Sequence, residues 1–272
     1  MSRRRRSPRA ASQVLAWLGT ALVMLFLYVP IAILVLFSFN ASGSLSFPLD
    51  RLTLHWYSVV LTDPIYRAAL HNSLVVALTT AATTGVLGTL AALALTFCPP
   101  RWRTFVGMLA FAPVTLPGLF LGLSLLSLFA STNVPLSLGT VACGHFVFTF
   151  PYFVMIARAA LDRIDPGYEE TAADLGASAL QRFTKVTLPN VWPILLAGAV
   201  LAFALSFDEF ILTFFIIGPD STVPLIIWSE MRRTVSPSIN AVATLLLLVT
   251  MSSTLGVAAL VAARRQLRKA TV

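Results

Sequence analysis

Long apolar runs almost free of charge alternate along the chain with short polar intervals. Six of these runs are long enough to cross the ~30 Å hydrocarbon core of a bilayer as helices rising ~1.5 Å per residue. They cover Trp17 to Phe39, about Ala69 to Phe97, Phe105 to Phe129, Leu136 to Ala159, Val191 to Ile217, and about Ala241 to Ala263. The pattern therefore predicts an all-α, polytopic membrane protein with six transmembrane helices.

The longest polar interval between two apolar runs covers about residues 164–189 and reads as a helical hairpin. An Asp-Pro step at 165–166 supplies an N-cap followed by proline at the first helical position. Gly176 is a natural helix stop, and the Ser-x-x-Gln pattern at 178–181 makes a capping box for a second short helix. Pro189 follows that second helix. The sequence thus predicts a compact hairpin on the membrane surface.

Helix breakers also occur inside the apolar runs. Pro113 and Pro117 are expected to interrupt the third membrane helix, and Pro151 the fourth. The outer segment of residues 40–68 is expected to be an exposed loop. The second helix is longer than one crossing needs, so its first turns, with His71 and Asn72, are expected to project outside or to tilt. A short amphipathic stretch from Pro224 to Arg233 is predicted to lie at the membrane interface.

The distribution of positive charge sets the orientation. Both termini, the second-to-third loop and the fourth-to-fifth loop together hold 15 of the 19 Lys and Arg residues. The other face has only Arg51, Arg67, Arg232 and Arg233. The positive-inside rule therefore places both termini and the hairpin in the cytoplasm. The domain organisation that follows is a basic tail at residues 1–16, one transmembrane domain at residues 17–263, and a basic tail at residues 264–272.

Composition narrows the class of protein. With 57% hydrophobic residues and a mean hydropathy of +0.85, the chain has more apolar surface than a soluble domain can bury. The net charge of +8 is divided into juxtamembrane pieces, which does not suit nucleic-acid binding. The arginines at 3–6 imitate a secretory signal, but the apolar run after them is too long, so we expect an uncleaved first helix.

One spot in the predicted membrane helices carries charge that calls for an explanation. Asp208 and Glu209 lie within the fifth apolar run, where each ionised acid costs ~2.5–3.5 kcal/mol near the bilayer centre. Glu209 falls on a small, polar stripe with Ser206, so we predict that Glu209 and Ser206 line a pathway. Asp208 is expected to face a partner chain or a helix break. A purely structural acid pair remains the alternative.

The competing function classes fit the sequence less well. An intramembrane hydrolase would use Asp208 and Glu209 as catalytic carboxylates, but neighbours on one helix point ~100° apart and are badly placed for a dyad. His145 is expected to be satisfied in packing, and no catalytic motif, metal-ligand cluster or cofactor signature is found. A purely structural membrane protein would not require the polar hairpin. We therefore predict a non-enzymatic transport subunit without a cofactor.

The hairpin resembles the EAA loop of ATP-binding-cassette importer permeases. The family pattern is Glu-Ala-Ala, three residues, Gly, nine residues, an aliphatic residue, any residue, and Leu-Pro. Here it falls on Glu170, Ala172, Gly176, Val186, Leu188 and Pro189, with Thr171 replacing the first alanine. The resemblance implies that the hairpin couples the chain to an ATPase through Glu169, Glu170, Thr171, Ala172, Ala173, Leu175, Gly176, Leu188 and Pro189.

Other segments resemble the spermidine/putrescine permease branch, specifically its second permease subunit. They begin at Tyr28, Phe37, Ser206, Gly218 and Ser236, and read Tyr-Val-Pro-Ile, Phe-Ser-Phe-Asn, Ser-Phe-Asp-Glu-Phe, Gly-Pro and Ser-Pro-Ser-Ile-Asn-Ala-Val-Ala-Thr. The branch often has two aspartates where this chain has Asp208 and Glu209.

The resemblance implies a type I ABC importer transmembrane domain, with a MetI-like fold, in the bacterial inner membrane. It implies a homologous second permease, two ATPase subunits, and a periplasmic or lipid-anchored substrate-binding protein as partners, besides membrane lipid. The implied cargo is a polyamine, and related branches carry ferric iron, phosphonates or opines.

Overall fold

The computed structural model describes residues 8–42, 47–49, 51–233 and 237–270. The outermost residues of the two predicted basic tails, 1–7 and 271–272, lie outside these ranges. The described residues form a succession of helices, which confirms the all-α prediction. They are α1 (Pro8–Phe37), α2 (His55–Thr62), α3 (Pro64–Phe97), α4 (Pro100–Thr115), α5 (Gly118–Ser131), α6 (Leu138–Leu161), α7 (Pro166–Asp174), α8 (Ala179–Arg182), a π-helical turn (Phe183–Thr187), α9 (Leu188–Phe207), α10 (Ile211–Ile216), α11 (Val223–Arg233) and α12 (Pro237–Ala270).

Two compact units make up the fold. The first comprises the described part of Met1–Thr62 together with Glu230–Leu245. The second comprises Asp63–Ser229 and the described part of Leu246–Val272, and it holds both candidate sites. The prediction of one transmembrane domain over residues 17–263 stays a prediction.

In the first unit, the segment after α1 is tied to the segment that enters α2. The Trp56 indole donates a hydrogen bond to the Asn40 carbonyl at 2.7 Å, and the Ser38 and Tyr57 hydroxyls are 2.6 Å apart. Asn40 also forms an isolated antiparallel bridge with Leu52. The expectation of a loop over residues 40–68 is wrong for α2 and the start of α3, which lie there as helices, although many of these residues are exposed as expected.

The core of the second unit lies where α3, α6 and α9 pack together. The Phe153 ring of α6 is buried between glycines of the other two helices. A β-carbon added at Gly88 would lie 2.5 Å from this ring, and one added at Gly198 would lie 3.0 Å from it. Small residues in membrane helices permit such close backbone approach. The three helices thus form a tightly packed frame for both sites.

The start of α3 departs from the expected boundary. Its 34 residues extend about 50 Å, more than one bilayer crossing needs. The Asp63 carboxylate caps its first turn by accepting from the Ile65 N–H at 2.7 Å. Asn72 does not merely project outward, because its amide donates to the Ser221 carbonyl at 2.9 Å. This bond and one from the Val223 N–H to the Ser73 hydroxyl hold the segment before α11 against α3.

The third predicted span is bent. α4 and α5 meet at an angle of 102° across a short break before Gly118. Pro117 lies in this break, and the residue before a proline is disfavoured in helical conformation, so α4 ends there as predicted. Among the described residues, five helices are long and apolar enough to cross a membrane, and the bent pair brings the number to six if it counts as one span.

Pro151 does not interrupt α6, contrary to the sequence prediction. The helix runs unbroken from Leu138 to Leu161, and Pro151 is buried within it. A proline costs the helix one backbone donor, and neighbouring helices make that loss tolerable in a membrane protein. Close packing of α6 against α3 and α9 provides such neighbours.

Candidate functional site: a polar hairpin and an acidic helix break

The first arm of the hairpin is α7, and its two ends are fixed by local hydrogen bonds. The Asp165 carboxylate accepts from the Gly167 N–H at 2.9 Å at the start of the helix. At its end, Gly176 has φ +79°, and the N–H groups of Gly176 and Ala177 bond to the carbonyls of Ala173 and Ala172. This pair of hydrogen bonds is the Schellman motif, in which a residue in the left-handed conformation directly follows a helix. The predicted helix, glycine turn and second helix are therefore present.

The second arm differs from the prediction in how it ends. Ser178 and Gln181 form the expected capping box of α8. The chain then stays helical through the π-helical turn Phe183–Thr187 and into α9, with Pro189 in the first turn of α9. The wide turn lets the Leu188 N–H bond to the Phe183 carbonyl, five residues back. Proline is tolerated in the first turn of a helix, so the second arm continues directly into a membrane helix.

The two glutamates of the hairpin, Glu169 and Glu170, have different environments. The Thr187 hydroxyl donates to Glu169 Oε1 at 2.6 Å, and Thr187 is buried. This bond joins α7 to the π-helical turn, so Glu169 holds the two arms together. Glu170, the first residue of the family pattern, is exposed. The sequence did not single out Thr187, because its partner lies 18 residues away.

Three large apolar side chains are exposed on this otherwise polar hairpin. Leu175, just before the glycine turn, is 83% exposed, and Leu180, just after it, is 72% exposed. Tyr168 on α7 is also exposed. Tyr168 and Leu180 were missing from the predicted coupling residues, although apolar residues in a polar surface hairpin are a recognisable sign of a docking surface.

The second candidate site is a break in the fifth predicted span. The predicted span from Val191 to Ile217 is not one continuous helix, since α9 ends at Phe207 and α10 begins at Ile211. Asp208 therefore lies at a helix break, one of the two surroundings expected for it. Glu209 stabilises the new helix start, because its Oε1 accepts from the Leu212 N–H at 3.0 Å. Asp208 is exposed in the break, and Glu209 is half-buried. A break of this kind gives an intramembrane carboxylate backbone donors that a continuous helix withholds.

The Ser206 side chain pairs with a residue of α6. It is buried, and its hydroxyl is 2.8 Å from Nδ1 of His145 on α6. Nε2 of the same ring is 2.9 Å from the Thr213 hydroxyl of α10. His145 is therefore satisfied in packing, and the assignment of Ser206, Asp208 and Glu209 to a pathway stays a prediction.

Aromatic side chains adjoin the acidic break. The ring of Phe210, directly after the two acids, lies 5.3 Å from the ring of Trp228 on α11. α11 occupies the position of the predicted amphipathic stretch. Aromatic rings attract organic cations through their faces, so rings next to an acidic break are a suitable surrounding for such a cation. Among the described residues, no group of three or more His, Cys, Asp and Glu side chains is placed to hold a metal ion.

Comparison with known proteins decides the family. The family described as the inner membrane component of binding-protein-dependent transport systems matches residues 84–267. The chain belongs to this family. The family's EAA pattern falls on the hairpin described above.

Two relatives and one solved structure extend the comparison. The putrescine transport system permease protein PotI of Escherichia coli is 36% identical over 234 residues, 82% of each chain. The spermidine/putrescine transport system permease protein PotC of Escherichia coli is 34% identical over 227 residues, covering 83% of this chain and 86% of that one. A chain of a bacterial ABC transporter involved in importing the acidic polysaccharide alginate superposes with a TM-score of 0.73 at 14% identity, covering 93% and 96% of the two chains.

These findings establish the class of protein. The fold is that of a type I ABC importer transmembrane domain, and the protein is a multi-pass inner-membrane permease subunit. The relatives are named as permease proteins, so the comparison does not favour the intramembrane hydrolase.

Proposed function

We propose that this permease subunit imports a polyamine, putrescine or spermidine, into the cytoplasm. The observation that carries the proposal is the similarity to two polyamine permeases over more than four fifths of the chain. The similarity includes the segment with Asp208 and Glu209, where the branch often has two aspartates.

The chemistry of the helix break supports a cationic cargo. The structurally similar alginate importer handles an acidic polymer, so this fold does not by itself determine the charge of its cargo. Here an exposed Asp208 and a half-buried Glu209 directly precede Phe210, whose ring packs against that of Trp228. A passing ammonium group offsets the desolvation of the acids and contacts the ring faces, whereas an anion would be repelled.

ATP-driven movement reaches the pathway through the hairpin. Leu175, Leu180 and Tyr168 offer apolar contacts to a groove on an ATPase subunit, and the exposed Glu170 offers a charge. The Glu169–Thr187 bond makes the two arms move together. Because the second arm continues into α9, a displacement of the hairpin is passed along a helix that ends at Asp208.

The assembly comprises two permeases, two ATPases and one binding protein. This chain and a homologous permease form the pathway, and each hairpin contacts one ATPase subunit, which hydrolyses the ATP. A periplasmic or lipid-anchored binding protein delivers the polyamine from outside. The cationic asymmetry of the sequence puts both termini and the hairpin on the cytoplasmic side.

An uptake screen tests the cargo. A strain lacking this permease is supplied with labelled putrescine, spermidine or ferric citrate, with and without a plasmid copy of the gene. We expect the plasmid to restore polyamine uptake and to leave ferric citrate uptake unchanged. Polyamine uptake that is independent of the permease would remove the cargo assignment and leave the family assignment intact.

A further inference from the structure

The His145 imidazole connects the two sides of the acidic helix break. The residue lies on α6 and is only 1% exposed. Its Nδ1 is 2.8 Å from the Ser206 hydroxyl in the last turn of α9, and its Nε2 is 2.9 Å from the Thr213 hydroxyl in α10. One side chain on a third helix therefore holds both helix ends that flank Asp208 and Glu209.

The hydrogen-bond network assigns the proton of this imidazole. The Thr213 hydroxyl donates to the Glu209 carbonyl at 2.9 Å, so its oxygen accepts from His145 Nε2–H. In a neutral ring the other nitrogen is then an acceptor, and Nδ1 receives the Ser206 hydroxyl proton. A continuous chain of donors thus runs from Ser206 through His145 and Thr213 to the backbone of Glu209, inside the break.

Further hydrogen bonds hold the backbone of His145. The Thr149 hydroxyl donates to the His145 carbonyl at 2.8 Å, and Thr84 of α3 lies 3.0 Å from Thr149. Close packing restricts α10 as well, because a β-carbon added at Gly144, next to His145, would lie 2.5 Å from the Ile216 side chain. His145 is therefore anchored to the α3–α6 frame while its ring reaches both α9 and α10.

We propose that His145 is a positioning residue that fixes the angle between α9 and α10, and with it the direction of the Asp208 and Glu209 carboxylates toward a cationic cargo. The part that concerns the cargo rests on the proposed function. The part that concerns the angle does not, because it follows from the hydrogen bonds on both sides of the break. A buried histidine that only needed partners for its own ring nitrogens could find both of them on one side of the break. Here the two partners lie on opposite sides.

The angle is measured by the distance between spin labels on α9 and α10 in the complete transporter in lipid nanodiscs. The labels are attached to Leu201→Cys in α9 and Phe214→Cys in α10, because both positions are exposed. The same chain carries Cys98→Ser and Cys143→Ala, since the native cysteines are free and would also be labelled. His145→Leu removes both bonds. A triple variant, His145→Leu with Ser206→Ala and Thr213→Val, removes them without leaving an unsatisfied hydroxyl, and it also removes the bond from Thr213 to the Glu209 carbonyl. Thr84→Val is the matched control, a buried hydroxyl of the same network that does not contact the break.

We expect the distance distribution to broaden about twofold in His145→Leu and in the triple variant, because the net stabilisation of two hydrogen bonds is lost. His145→Gln, which can keep one bond, is expected to be intermediate, and Thr84→Val to match the parent chain. An unchanged distribution in the triple variant would overturn the proposal. So would equal broadening in Thr84→Val, since the effect would then come from the packing of the whole network.

Uptake of labelled putrescine by the same variants, without the spin-label cysteines, tests the link to the cargo. We expect the maximal uptake rate to fall about tenfold, as the loss of two hydrogen bonds predicts. KM should stay constant, because the binding protein determines how tightly putrescine is captured. Normal uptake with a broadened distance would also overturn the proposal. If the unmodified transporter carries no polyamine, the proposed function fails, and the distance measurement still tests the role of His145.

Discussion

Replacing Gly176 with valine is expected to weaken the coupling of the permease to its ATPase without preventing membrane insertion. Gly176 has φ +79°, a region that costs an L-residue ~1–2 kcal/mol and is a genuine outlier for a β-branched side chain. No heavy atom lies within 4 Å of the position of an added β-carbon. The cost therefore comes from the backbone conformation and not from a steric clash.

Two hydrogen bonds favour keeping the turn and so oppose this backbone cost. If the valine leaves the left-handed region, the hairpin loses the bonds to the Ala172 and Ala173 carbonyls, worth about 1 kcal/mol each. Keeping and leaving the turn then have similar free energies, so about half of the hairpins would still keep the turn. We expect cargo-stimulated ATPase activity of the reconstituted transporter to fall about twofold, and further if the β-branched side chain raises the backbone cost.

A substitution series separates this cause from others. Asparagine tolerates the left-handed region, so Gly176→Asn should retain most activity, Gly176→Ala less, and Gly176→Val least. Gly107→Val in α4 is the matched control, because Gly107 also has open space around it and no positive φ. Equal activity across the Gly176 series, or an equal loss in Gly107→Val, would refute the reasoning.

Further predictions concern the hairpin and the topology. Thr187→Val removes the charge-assisted bond to Glu169, worth ~1.5–3 kcal/mol, and should speed proteolysis of the hairpin, whereas unchanged cleavage would contradict its linking role. Glu170→Lys should leave insertion intact and abolish stimulated ATPase activity, because it reverses an exposed charge on the docking surface, and normal coupling would count against that surface. Reporter fusions should place residue 178 in the cytoplasm and residue 55 outside, and finding both on one side would exclude the proposed orientation.

Features determined by neighbouring residues could be predicted from the sequence. Asp165 caps α7, Gly176 turns the chain and Ser178 pairs with Gln181, and each of these interactions spans five residues or fewer. The apolar runs likewise predicted membrane helices, because the thickness of a bilayer sets their length. Local chemistry therefore accounts for the hairpin and for the fold class.

Features that depend on distant partners could not be predicted. The break after Phe207 is held by His145, which lies 61 residues from Ser206 and 68 from Thr213. A helical periodicity carried through the break placed Ser206 and Glu209 on one stripe, whereas the structure buries Ser206 against α6. Pro151 and Pro189 show the same limit, since tertiary packing and a π-helical turn allow the helices to continue where a proline alone predicts an end.

The central claim is that this permease moves a polyamine past two intramembrane acids. The most direct measurement is ATP-dependent uptake of labelled putrescine and spermidine by proteoliposomes that contain the complete transporter and its binding protein. Glu209→Gln is the decisive variant, because glutamine keeps an oxygen to accept from the Leu212 N–H and removes only the charge. We expect ATP-dependent polyamine uptake by the unmodified transporter, a strong loss in Glu209→Gln, and a smaller loss in Asp208→Asn. The claim is contradicted if the unmodified transporter moves neither polyamine, or if a variant with both substitutions moves them at the unmodified rate.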